Sequence, residues 1–152
     1  MPIRMTEIFF SYAHADEDLM NEVRRQLIVF EREQRIIKWH DRQIPAGAEW
    51  KTQIDDRIRS AQIILLFMSP HFLESRYCYE IEGQVAMERH QSGDATVIPV
   101  VLRPCAWDAS PFSKLQALPK DAQPISTWTN IDEASLDVAR RVMQVVDSLK
   151  AE

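Results

Sequence analysis

Six consecutive apolar residues, Ile63-Ile64-Leu65-Leu66-Phe67-Met68, constrain the fold of this chain more than any other stretch. The run is strand-sized, far short of what crosses a bilayer, and it has no polar alternation that would face water. It predicts a strand buried on both sides, as in a parallel sheet covered by helices. Ser69-Pro70 closes it, because proline has no N–H for a ladder and turns the preceding residue away from helix. Beyond a polar loop, Ser75 can cap a helix with Tyr77, Cys78, Ile81 and Val85 on its apolar side and Gly93 at its end. Strand, loop and helix in this order form the place where an open α/β sheet keeps its site.

The other segments alternate in the same way. Residues 7–12 read as a first strand, and Asp16 as the N-cap of a helix carrying Leu19, Met20, Val23, Leu27 and Phe30. Residues 35–40 read as a less apolar strand near an edge, followed by a loop over 41–47. A helix with Trp50, Ile54 and Ile58 four apart comes next. Residues 95–102 are a further buried strand, in which Pro99 marks a bulge or an unpaired position. Residues 103–123 are irregular with a helical turn over 113–118, and 124–126 read as a short last strand. Val138, Val142, Val145 and Leu149 align on a final helix.

Such alternation requires right-handed crossovers. It predicts an α/β, flavodoxin-like three-layer sandwich with a five-stranded parallel sheet in the order 2-1-3-4-5. Residues 1–152 read as a single domain with its core over about 6–149. In that order the sheet reverses between strands one and three. The loops 11–15 and 69–76 then face each other across a crevice, and 41–50 forms one rim.

Bulk properties narrow the function. A net charge of −5 argues against a general nucleic-acid or anionic-membrane binder. The N-terminus has no apolar signal region, which points to the cytoplasm. Cys78 and Cys105 give neither a disulfide framework nor metal spacing, and His14, His40, His71 and His90 share no metal pattern. With three glycines in the chain there is no phosphate-cradling loop, and no metal or cofactor is expected. His71 and Cys78 would be a base and nucleophile without an oxyanion-type glycine turn. Two carboxylates remain. On an α-helix Glu80 and Glu82 point about 200° apart. Glu80 falls in solvent, and Glu82 falls on the border of the apolar face beside Ala86, able to turn toward the crevice mouth. The ordinary state of either is a surface glutamate.

Four motifs in order carry a family resemblance. They are Ile8-Phe9-Phe10-Ser11-Tyr12, Asp41 with Ile44-Pro45-Ala46-Gly47, Leu66-Phe67-Met68-Ser69-Pro70, and Ser75-Arg76-Tyr77-Cys78 followed by a glutamate. Together they resemble the Toll/interleukin-1 receptor (TIR) domain, and Ile98-Pro99-Val100-Val101-Leu102-Arg103-Pro104 is similar to bacterial members. The resemblance implies two activities. One is cleavage of the nicotinamide–ribose bond of NAD+, the substrate, by a glutamate in a Trp-Cys-x-x-Glu pattern. The other is assembly with further TIR domains through the loop 41–47, as a bacterial antiphage-defence or signalling effector.

The pattern departs here in two places. Tyr77 stands for the tryptophan, and the aligned position is Ile81, so Glu82 matches with a one-residue slip and Glu80 is its rival. By resemblance Glu82 is catalytic, and Ser11, Tyr12, Asp41, Trp50, Ser69 and Tyr77 surround the substrate. The competing reading is a non-catalytic adaptor that docks other TIR domains. A phosphoacceptor receiver on the same sheet order needs acidic residues where Ser11-Tyr12 and Ser69-Pro70 stand, and is discarded.

Overall fold

Four parallel strands organise the molecule, β1 (Thr6–Ser11), β2 (Ile36–Trp39), β3 (Ile63–Met68) and β4 (Thr96–Val101), in the order β2-β1-β3-β4. The structure is a computed structural model and describes residues 5–39, 47 and 49–150. The α/β class and the predicted order stand, with β2 at the edge as its weaker apolarity suggested. The reversal lies between β1 and β3, whose registers pair Ser11 with Leu66.

The expected fifth strand is absent from the described residues. Residues 125–127 form a 3-10 turn instead. The expected strand opens on Pro124, which has no N–H to donate, and the Ser126 N–H reaches the Leu102 carbonyl just past β4 at 2.9 Å without starting a ladder. The outer side of β4 holds a single parallel bridge, Val100 to Leu118. There the Val101 N–H donates to the Leu118 carbonyl and the Leu118 N–H donates to the Pro99 carbonyl, each at 2.8 Å. The polar groups of Pro99 therefore point outward, and its missing N–H takes nothing from the β3 ladder. The segment after β4 makes 3-10 turns at Trp107–Ala109, Pro111–Lys114 and Lys120–Ala122. The second of these stands where a helical turn over 113–118 was expected, displaced toward Pro111, which opens it.

Helices cover both faces. On one, α1 (Glu17–Gln26) and α2 (Ile28–Arg32) join the last helix, Ile131–Lys150. The expected single helix through Phe30 divides at Leu27, which is fully buried. On the other face lie α3 (Trp50–Ser60), α4 (Pro70–Glu74) and α5 (Gly83–Gln91); the last helix is thus α6. Strand β3 splits between the two cores by alternation. Ile63, Leu65 and Phe67 meet Met20, Val23, Val138 and Val142, whereas Ile64, Leu66 and Met68 meet Ile54, Ile58, Phe72 and Ala86. Its burial on both sides is what its sequence demanded. Arg89 on α5 donates to the carbonyl of Ile58 at 2.9 Å and to that of Ala61, satisfying backbone acceptors at the end of α3. Among the described residues no helix is long and apolar enough to cross a membrane.

Candidate functional site

The crevice at the carboxyl ends of β1 and β3 contains a cavity of about 250 Å³ lined by Tyr12, Ala13, His14, Ile54, Ser75, Tyr77, Cys78 and Glu82, with Phe9 and Phe10 behind. Glu82 is 6% exposed. Its Oε1 accepts a hydrogen bond of 2.7 Å from the Ser11 hydroxyl at the end of β1. The cavity thus joins one buried carboxylate to two tyrosine rings and the apolar wall of Ile54. Tyr12 also faces His14 with ring centroids 6.0 Å apart.

The local chain explains how Glu82 gets there. A polar loop was expected after β3, but Ser69 caps a short helix instead, accepting from the Phe72 N–H at 3.0 Å, with Pro70 in its first turn. Ser75 then caps the following segment as predicted, accepting from the Cys78 N–H at 3.1 Å. That segment, Arg76–Glu82, is a π-helix rather than an α-helix. Its widened turn is closed by the Gly83 N–H bonding to the Cys78 carbonyl, five residues back. Ile81, expected on the apolar face, is 45% exposed, and Glu82, expected at its border, is inside. Glu80 is solvated as predicted, its side chain 62% exposed and 3.3 Å from Arg76. Gly83 is required where the π segment meets α5, because a Cβ there would lie 2.7 Å from Cζ of Phe112. The Phe112 ring in turn packs edge-on against Tyr79 at 5.6 Å and Phe72 at 6.2 Å.

Of the residues singled out in the sequence, Glu82, Tyr12 and Tyr77 line the cavity, and Ser11 meets it through Glu82. Ser69 does not line it. Its hydroxyl is buried and donates to Asp16, which is fully buried and also accepts from Arg103 Nε at 2.9 Å. Asp16 therefore occupies the N-cap position of α1 without capping it, and ties together the segments after β1, β3 and β4. The sequence reading missed this tie. An arginine directly after a buried strand was its one visible trace. Asp41 and the side chain of Trp50 lie outside the described residues. His14, Ile54 and Ser75 are lining residues that the sequence left as loop, core and cap. His71 is exposed on α4 and does not line the cavity beside Cys78. Burial pushes the Cys105 thiol up from its ordinary value, which leaves it a poor nucleophile.

The sheet is parallel and doubly wound, and Glu82 stands in the crevice at its topological switch point, the place where open α/β sheets keep their ligand sites. The comparisons give the chain's family. The sequence model described as "TIR domain" matches residues 8–142, and the chain belongs to that family. It is 51% identical over 140 residues to y4lF, an uncharacterized protein of Sinorhizobium fredii. That alignment covers 92% of this chain and 43% of y4lF, so the chain spans less than half the length of this relative. In fold it is similar to the crystal structure of the TIR domain of the Toll-related receptor TRR-2 from Hydra magnipapillata, with a TM-score of 0.62 and 17% identity. The match covers 92% of this chain and 97% of that one, and it is a likeness of fold.

Proposed function

We propose that this TIR domain cleaves the nicotinamide–ribose bond of NAD+, with Glu82 as the catalytic carboxylate. The reading is carried by one observation, a single buried carboxylate held by Ser11 in a cavity lined by Tyr12 and Tyr77. A tyrosine face suits a flat pyridinium ring, and a carboxylate suits both the ring's positive charge and the charge that replaces it. In the reaction the C1′–N bond of the ribose breaks and its electron pair leaves with nicotinamide, which becomes neutral. Positive charge develops on C1′ and the ring oxygen of the ribose, where Glu82 stabilises it in a water-poor setting. Water then adds to C1′, and its proton passes through Glu82 to solvent.

The cavity is smaller than the ~300–1,000 Å³ usual for small-molecule sites. It suits the nicotinamide riboside half of the dinucleotide and leaves the adenosine half to other surfaces. Self-association with further TIR domains supplies such a surface in this reading.

The test is nicotinamide release from NAD+ by the purified chain. Glu82→Gln is expected to lower turnover by about 100-fold or more, with the fold intact by circular dichroism, and Glu80→Gln to leave it unchanged. Wild-type turnover in Glu82→Gln would sink the assignment. A wild-type chain that self-associates and releases no nicotinamide would make the domain a docking module.

A further inference from the structure

The residues that turn inward along 76–91 do not belong to one α-helix. Cys78, Glu82, Gly83, Ala86 and Met87 are all buried. At about 100° per residue, Cys78 and Met87 on a continuous α-helix would point about 180° apart, and Ile81 would sit near the middle of the face that begins with Tyr77 and Cys78. If one residue between them is left out of the count, Cys78 and Met87 come within about 80° and Glu82 takes the place of Ile81. The i→i+5 bond from Gly83 to Cys78 does this in the backbone, since its turn holds one residue more than an α-turn. The two residues with nothing to do inside are Glu80 and Ile81, both exposed, and Ile81 is an apolar side chain in water beside a carboxylate out of it. Exposing the one and burying the other opposes the hydrophobic term and requires the Ser11 hydrogen bond to offset it.

We propose that the π turn at Arg76–Glu82 is a register element: it loops in one exposed residue of the pair Glu80 and Ile81, and that insertion is what selects Glu82 rather than Ile81 to face the crevice. Glu82 is then placed by the turn, and the turn has no further role in the site. The inference deepens the reading of Glu82 as the site's carboxylate and rests on it. It also makes a prediction that does not depend on catalysis. Deleting the looped residue should convert the segment to a regular α-helix and leave Glu82 where it is.

The experiment uses the full chain with Ile81 deleted, and a second variant with Glu80 deleted. Coupling between Ser11 and Glu82 is measured in each background by a double-mutant cycle of Ser11→Ala and Glu82→Gln in urea denaturation. Nicotinamide release from NAD+ is measured in parallel. The expected result is that at least one deletion variant folds cooperatively, keeps the Ser11–Glu82 coupling of the parent, and retains turnover within about tenfold. In the undeleted chain, adding Ile81→Glu to Glu82→Gln should restore nothing, because residue 81 faces solvent.

Lost coupling in deletion variants that fold would overturn the proposal, as would failure of both deletions to fold, since a looped-in residue is dispensable. Retained coupling with turnover abolished would also overturn it, because the turn would then do more than set register. If the parent itself releases no nicotinamide, the catalytic reading fails while the coupling still decides the register.

Discussion

Ser11 and Glu82 are 71 positions apart, and their hydrogen bond is the shortest statement of how the site is made. A serine that ends a buried strand has its hydroxyl held by the sheet, so it can fix a carboxylate arriving from another element. Ser11→Ala removes that donor from a buried carboxylate, which should cost about 1–3 kcal/mol in urea denaturation. In nicotinamide release it should lower kcat more than it raises KM, because it disturbs the orientation of Glu82 rather than the tyrosine walls. An unchanged kcat would place Ser11 outside the machinery. A different residue makes a different prediction. Lys38 on β2 is buried, with Glu31 at 3.5 Å. Burial lowers its pKa from 10.5, opposed by the Glu31 charge and aided by that of Arg24. The folded state thus binds fewer protons than the unfolded state in the alkaline range, so wild-type stability rises with pH between the lowered value and 10.5. Lys38→Met, which removes the charge, should be more stable than wild type near neutral pH by about 1 kcal/mol. Its advantage should shrink as pH climbs through that window. A constant difference across pH would show that volume, not charge, decides the effect.

At the scale of elements, α3 and α5 are joined by one guanidinium. Arg89 satisfies carbonyls of Ile58 and Ala61 that the end of α3 leaves without intrahelical donors. Arg89→Ala should therefore destabilise the chain by about 1–3 kcal/mol although the residue lies outside the site. Turnover of the folded fraction should remain unchanged, and a fall in kcat without a fall in stability would contradict this. The loop that the sequence predicts at the crevice rim offers a separate test. Gly47 has φ of +85°, a backbone region that favours glycine. Proline fixes φ near −65°, so Gly47→Pro must rebuild the turn there. If the rim serves assembly, this variant loses activity together with self-association in sedimentation. Lost activity with intact self-association would assign the rim to the substrate instead.

The cavity in the crevice holds about 250 Å³, too little for a whole dinucleotide. A site completed by a second copy has a competent population set by mass action, so specific activity should rise with protein concentration. The measurement is nicotinamide release over a wide concentration range, with and without a fused oligomeriser. A flat specific activity would mean that each monomer carries a complete site.

Local patterns along the chain were enough for the sheet. An unbroken apolar run can only be buried on both sides, and its spacing from residues 7–12 and 95–102 dictates parallel strands with helical crossovers, whichever residues line the site. The same patterns placed Glu80 in solvent and put Ser75 and Gly93 at helix ends, because these follow from local rules of capping and periodicity. The fifth strand was misread, since a three-residue segment that opens on Pro124 has strand-like composition and too few donors for a ladder. The tertiary structure alone decided the rest. Asp16 reads as a cap, yet it is drawn inward because Ser69 and Arg103 converge on it from segments more than 50 residues away. Glu82 faces the crevice because a π turn absorbs one residue, and no α-periodic count can contain that turn. Such a turn forms where packing at both ends of its closing bond is fixed independently, by buried Cys78 at one and by Gly83 against Phe112 at the other. The helix between must fit the distance the core leaves it, and that distance is written in no local stretch of sequence.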